Sequence, residues 1–240
     1  MGIEFLCDVF QQHTADEAVV WKDQSYTYGW LLEQLDQWRA RLDEERIEPG
    51  TVTMLEADFS PSAVALFLAL AERGCILVPL TDAVQGKRDE FIEIAEGEVT
   101  VQIDGDDNAA VCRIDRQAEH PIYAELRSAG HPGLVLFSSG STGKSKAAVH
   151  DLDPLLDKFR VPRKKMRSIS FLLYDHIGGI NTMLYTLANA GCLVTVEKRS
   201  PDAVLRAIEQ HRVELLPTSP TFVNLILLSE AYQRWDLSTL

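Results

Sequence analysis

The sequence predicts an α/β fold built of mainly parallel sheets flanked by helices, and three observations carry that prediction. Stretches of helical period alternate with short apolar runs of strand length almost throughout the chain. A run, a helix and a second run are joined by tight punctuation into a βαβ unit over residues 51–80, and parallel strands need such a crossover. The 240 residues are 46% apolar and 25% charged, with 14 Gly and 10 Pro, which is globular composition and excludes disorder, collagen and coiled coil. A chain of this length can bury roughly three quarters of its extended surface, enough for one sizeable core.

In chain order, residues 29–42 place Trp30, Leu31, Leu35, Trp38 and Leu42 near one helical face. Pro49-Gly50 is a turn, and 51–57 reads as a strand. Ser60-Pro61 starts the next helix, a hydroxyl cap followed by proline at the first helical position, and Gly74 after Arg73 stops it. Residues 75–80 are then a short buried strand. A helix over 87–95, a strand over 99–103, an acidic turn at Asp104-Gly105-Asp106-Asp107-Asn108 and a strand over 110–114 follow. The polar, broken stretch 117–132 reads as a connector, and 134–137 as the next strand. Beyond the loop that follows, alternation resumes: strand 169–173, helix 180–189, strand 192–197, a helix from Ser200-Pro201 to His211, strand 213–216, and a mostly helical 218–230. There is no internal repeat and no low-complexity segment.

The formal net charge of −13 argues against nucleic acid as a partner, because phosphate backbones are bound by clustered Lys and Arg. An anion site in such a chain has to supply its own local positive field, since charges beyond about 8 Å are largely screened. Cys7, Cys75, Cys112 and Cys192 form no CxxC pair and have no His at ligand spacing, so they are expected as buried, reduced thiols, and no metal site is expected. Glu4 and Asp8 stand where a signal peptide needs basic and apolar residues, and Leu6 where a myristoylation motif needs Ser or Thr. The longest apolar run, 63–71, is half the length of a membrane span. A cytoplasmic protein with no membrane partner is therefore expected. The one dense basic cluster, Arg160, Arg163, Lys164, Lys165 and Arg167 around Pro162, reads either as a solvated loop or as a dock for an acidic carrier or polyphosphate.

The segment that carries chemistry is 134–150. An apolar strand ends at Phe137 and hands over to Ser138-Ser139-Gly140-Ser141-Thr142-Gly143-Lys144-Ser145-Lys146. Glycines allow successive backbone N–H groups to converge on one anion, hydroxyls add short donors, and the lysines provide the positive charge that the chain lacks elsewhere. Such loops bind phosphate. A Walker A reading needs glycine five residues before Gly143, where Ser138 stands; a Walker-B-like run, Phe171-Leu172-Leu173-Tyr174 into Asp175, keeps a P-loop phosphotransferase open.

The same residues resemble the phosphate loop of the adenylate-forming (AMP-binding) superfamily, which includes acyl-CoA synthetases, aryl-CoA ligases and peptide-synthetase adenylation domains. Its pattern of Ser/Thr-Ser-Gly-Ser/Thr-Thr-Gly, any residue, usually Pro, then Lys is matched from Ser138 to Lys146, with Ser145 in place of proline. Tyr26-Thr27-Tyr28, Glu48-Pro49-Gly50, the block 63–80, Tyr174-Asp175-His176-Ile177-Gly178-Gly179 and Leu216-Pro217-Thr218-Ser219-Pro220-Thr221 resemble further blocks of the family in the right order.

The resemblance implies that a carboxylic acid is condensed with ATP, helped by Mg²⁺, to an acyl-adenylate with release of pyrophosphate. The acyl group then passes to coenzyme A or to the phosphopantetheine thiol of a carrier protein. It places Ser139, Ser141, Thr142, Gly143 and Lys146 on the β- and γ-phosphates, within a loop that also holds Ser138 and Gly140, and makes Lys144 an auxiliary charge. His176 would line the acid pocket. Asp175 would either receive the α-amino group of an amino acid or belong to the wall of an acyl-type pocket, the reading that the Asp-His-Ile-Gly-Gly run favours. Gly178 and Gly179 would let the helix backbone approach the substrate, or else mark a tightly packed helix start. No residue of this chain is assigned the chemistry itself. The family's adenine motif, ribose-binding aspartate, hinge and adenylation lysine have no counterpart in the sequence. Residues 1–240 are therefore expected to be an incomplete N-terminal AMP-binding domain, without its C-terminal part and lid domain, and inactive alone. A non-catalytic truncated binding module is the remaining alternative.

Overall fold

The computed structural model describes residues 2–139 and 145–240. The chain opens with helix α1 (Glu4–Gln12), strands β1 (Glu17–Trp21) and β2 (Gln24–Thr27), and helix α2 (Tyr28–Glu44). Then come β3 (Val52–Glu56), α3 (Pro61–Arg73), β4 (Ile76–Leu80), a 3-10 turn (Asp82–Lys87), α4 (Arg88–Ile94), β5 (Val99–Ile103), β6 (Ala109–Arg113) and α5 (Pro121–Ala129). The hairpin β7 (Gly133–Ser139) and β8 (Ser145–Asp151) follows, with α6 (Leu152–Asp157), β9 (Arg167–Ile169), α7 (Ile177–Ala188), β10 (Cys192–Val194), α8 (Pro201–His211) and α9 (Pro220–Leu228).

Six strands form one sheet in the order β6-β5-β3-β4-β7-β8, and four form another in the order β2-β1-β10-β9. Pairings inside the sheets are parallel, and antiparallel hairpins close β2 against β1, β6 against β5 and β8 against β7. The mainly parallel sheet is thus present, including the β3-α3-β4 crossover with Val52 beside Ile76.

Strand alternation sends side chains into separate layers. Val19 and Leu193 join one core with α1, α2, α3 and α7, whereas Val20 and Val194 join a second core with α8 and α9. On the six-stranded sheet, Leu55 and Leu77 face the first core, and Met54, Ile76 and Val78 face a third core with Phe91 of α4 and Tyr123 of α5. Helix α3 lies in the layer between the sheets, which is why it is apolar all round: every residue from Ala63 to Ala71 is buried. Its punctuation works as the sequence predicts. Ser60 Oγ accepts from Ala63 N–H at 3.1 Å, and Gly74 takes the left-handed conformation at φ 78°.

Several elements differ from expectation. The connector 117–132 contains α5, with Pro121 at its first turn, Gly130 at its end, and only Tyr123 and Leu126 buried; two apolar anchors are too few to show a period. Strand β8 has only small or polar residues besides Val149 and is held by pairing to β7. The expected strand 213–216 reduces to one bridge between Leu215 and Ser168, and β9 ends at Ile169 rather than Leu173. The thiols are not uniformly buried: Cys75 and Cys192 are, and burial pushes them up to about 12 and about 11, but Cys112 is exposed and Cys7 half-buried. No helix among the described residues is long and apolar enough to cross a membrane.

The base of the β7–β8 hairpin is clasped by His131, whose Nδ1 lies 2.8 Å from Asp151 Oδ2. That carboxylate holds the imidazole pKa above its ordinary value of 6.5. The clasp stabilises fully below the unfolded-state pKa and is lost as pH rises through the higher folded-state value. The gap in melting temperature between the wild type and His131→Asn should therefore be largest near pH 6 and shrink above neutrality. A gap constant with pH would show that the ion pair contributes nothing.

Candidate functional site

In open α/β sheets, ligands gather beyond the carboxyl ends of the strands. Here β4 and β7 are adjacent and parallel, with Ile76 beside Gly133 and Leu77 beside Leu134, so both end on the same side. Beyond them lies a cleft of about 490 Å³. Pro79 and Leu80 come from the end of β4, Lys87 from the 3-10 turn, and Phe137 and Ser138 from the end of β7. Ser145 opens β8, and Asp175 and His176 close the far wall. Phe91 and Phe137 stack with centroids 3.8 Å apart and give the cleft an apolar floor.

The two sets of residues singled out in the sequence therefore meet. Ser138 and Ser145 are the flanks of the glycine-rich loop, and Asp175 and His176 line the same cleft. Lys146, exposed, sits directly opposite Ser138 in the hairpin register. Gly140, Ser141, Thr142, Gly143 and Lys144, together with the Ser139 side chain, lie outside the described residues.

Asp175 is anchored across the molecule. Its Oδ2 accepts from the Thr81 hydroxyl at 2.8 Å and from Thr81 N–H at 3.3 Å, tying the loop before α7 to the end of β4. Among the described residues its Oδ1 is buried without a hydrogen-bond partner, and His176 Nε2 lies 3.8 Å from it. His176 is the residue before α7, and its side chain is 61% exposed. Just ahead, Tyr174 is fully buried; its hydroxyl donates to the Ala63 carbonyl at 3.0 Å, and its ring meets Phe59 edge-on at 5.1 Å.

Gly178 and Gly179 occupy the first turn of α7 rather than the cleft lining. A β-carbon on Gly179 would collide with the Leu173 carbonyl oxygen and lie 2.8 Å from that of Leu172. Tight packing of the helix start against the 171–176 segment is thus a sufficient reason for this glycine.

Lys87, Thr81, Phe91 and Phe137 were not singled out in the sequence. The available signal was positional: Thr81 directly follows a buried parallel strand, at the end where such sheets bind ligands. The basic cluster stays outside the cleft. Lys165 pairs with Asp16 at 2.7 Å, Arg167 with Glu17 at 2.6 Å, Arg160 with Asp157 at 3.0 Å, and Lys164 lies 3.9 Å from Glu214. These are the contacts of a solvated, ion-paired face.

The strand that follows the glycine-rich segment speaks against the Walker A reading. A Walker A loop opens a helix, whereas this one returns as the antiparallel strand β8, and the Walker-B-like run 171–174 is not a strand. The profile of the family described as AMP-binding enzyme matches residues 8–240. The chain belongs to that family.

Its curated relatives include pyochelin synthetase PchE of Pseudomonas aeruginosa, 26% identical over 90% of this chain and 16% of that protein. Another is the 4-coumarate--CoA ligase-like 9 protein of Arabidopsis thaliana, 22% identical over 89% of this chain and 44% of that protein. The chain thus spans less than half the length of each of these relatives. Among solved structures, the N-terminal subdomain of Klebsiella oxytoca NpsA, in complex with 3-hydroxybenzoyl-AMSN, superposes with a TM-score of 0.72 at 20% identity. It covers 89% of this chain and 58% of that one. The amide bond synthetase McbA of Marinactinospora thermotolerans gives 0.69 at 25% identity, over 100% of this chain and 53% of that one. The fold is that of the N-terminal subdomain of adenylate-forming enzymes.

Proposed function

We propose that this chain supplies the phosphate loop and one wall of the acid pocket of an ATP-dependent ligase that activates a carboxylic acid as its acyl-adenylate. The observation that carries the reading is the meeting, in one cleft beyond β4 and β7, of the loop flanks Ser138 and Ser145 with Asp175 and His176. A carboxylate is a poor electrophile. Attack of its oxygen on the α-phosphorus of MgATP, with pyrophosphate leaving, turns that oxygen into part of a good leaving group. In this reading Ser139, Ser141, Thr142, Gly143 and Lys146 hold the β- and γ-phosphates, in a loop that also holds Ser138 and Gly140 and with Lys144 as an auxiliary charge, and their N–H, hydroxyl and ammonium donors neutralise charge on the departing pyrophosphate. The acyl group then passes to coenzyme A or a carrier-protein thiol. The reading assigns adenine and ribose binding to polypeptide outside this sequence, and the exposed Val223, Leu227 and Leu228 of α9 support further polypeptide packing there.

The test is acid-dependent ATP–pyrophosphate exchange by the protein that carries these residues, across fatty, aryl and amino acids. Exchange with one class supports the reading. γ-Phosphate transfer without exchange would overturn it.

The acid is read first as an acyl or aryl acid. The unpartnered Oδ1 of Asp175 supports a second reading, an amino acid whose ammonium group would satisfy it. Asp175→Asn separates the two. Loss of a charge-assisted hydrogen bond to the substrate should raise the KM for an amino acid roughly tenfold or more. An acyl or aryl acid should keep its KM to within a few-fold.

A further inference from the structure

We propose that Lys87 is an additional cation of the phosphate site, directed at the terminal phosphates of a nucleoside triphosphate; the inference rests on the adenylate-forming reading above. Lys87 closes the 3-10 turn that follows β4, and it is the one lysine or arginine among the described residues lining the cleft. Its Nζ reaches the hydroxyl of Ser145, the carboxyl-terminal flank of the glycine-rich loop, at 3.4 Å. The N–H of that same serine is taken by Glu90 Oε1 at 3.3 Å, so the loop flank is held from one side by the turn and by α4.

The neighbouring cation shows what Lys87 lacks. Arg88 is consumed by Glu56, with its Nε 2.8 Å and an Nη 2.7 Å from the carboxylate. Lys87 has no carboxylate within ion-pair distance among the described residues, and one long bond to a hydroxyl uses one of its three N–H donors. In a chain of net charge −13, a lysine with no carboxylate in ion-pair contact among the described residues, the nearby Glu90 being held on the Ser145 N–H, supplies at the lip of the cleft the local field that an anion needs. Its tether to Ser145 places that charge on the loop rather than on the apolar floor. The ligand chemistry is therefore polyphosphate and not the acyl tail.

The experiment is calorimetric titration of the protein that carries these residues with magnesium pyrophosphate, MgATP and AMP, for wild type, Lys87→Gln, Lys87→Arg, Ser145→Ala and Lys146→Ala. Lys87→Gln should weaken pyrophosphate and MgATP about tenfold, leave AMP unchanged, and be rescued to within about threefold by Lys87→Arg. Ser145→Ala, which removes the tether but not the charge, should cost less than Lys87→Gln. If wild type binds and Lys146→Ala weakens it while Lys87→Gln does not, the inference fails and the adenylate-forming reading stands. If wild type binds neither polyphosphate, that reading fails as well. Loss of AMP equal to loss of MgATP, or a Ser145→Ala loss equal to that of Lys87→Gln without rescue by arginine, would make Lys87 a structural tether and overturn the inference.

Discussion

Replacing Lys146 by alanine is expected to lower acid-dependent ATP–pyrophosphate exchange by roughly 10²–10³-fold, the cost of removing one fixed donor from developing negative charge. Lys146 stands across the hairpin from Ser138, so its backbone is fixed by the β7–β8 ladder rather than by the loop itself. In the proposed reading its ammonium contact strengthens as charge develops on the departing pyrophosphate, so the effect should fall on kcat more than on KM. Lys144, at the variable position of the loop pattern, should cost far less when changed to alanine. A Lys144→Ala loss exceeding that of Lys146→Ala would reverse the assignment of roles.

Gly179→Ala should destabilise the protein by about 2–3 kcal/mol, the upper part of the range for forcing an atom into a filled site. For a chain of this size that lowers the melting temperature by roughly 5–10 °C. Alanine would gain up to about 1 kcal/mol of helix propensity. That gain is outweighed because the added carbon meets the carbonyls of Leu172 and Leu173, which are backbone and cannot rotate away. Relief requires shifting the 171–176 segment, and that segment carries the buried Tyr174 anchor and the Asp175 bond to Thr81. Gly178 is the internal control. A carbon there meets only the flexible end of Leu172, so Gly178→Ala should stay within about 1 kcal/mol. Equal melting temperatures for Gly179→Ala and wild type would show that the helix start tolerates the shift.

These predictions also mark what could be read along the chain. The α/β class, the β3-α3-β4 unit and the caps at Ser60, Ser200 and Gly74 were legible because each depends on residues within a few positions of one another. Helix α5 carried its Pro121 and Gly130 punctuation in plain view, but its two buried residues made no readable period. Strand β8 was illegible for a different reason: a chain rich in small and polar residues becomes a strand only when a partner such as β7 offers its free edge.

The sequence by itself determined the family, because the loop pattern that carries the resemblance is local: nine consecutive residues, Ser138 to Lys146, hold the match. Only the tertiary structure decided what faces that loop. Thr81 meets Asp175 across 94 positions, joining the end of β4 to the segment between β9 and α7, and Lys87 meets Ser145 across 58, because β4 and the β7–β8 hairpin lie side by side. Parallel pairing joins strands that are distant in sequence, so the side chains gathered at their carboxyl ends carry no spacing by which the sequence could announce them.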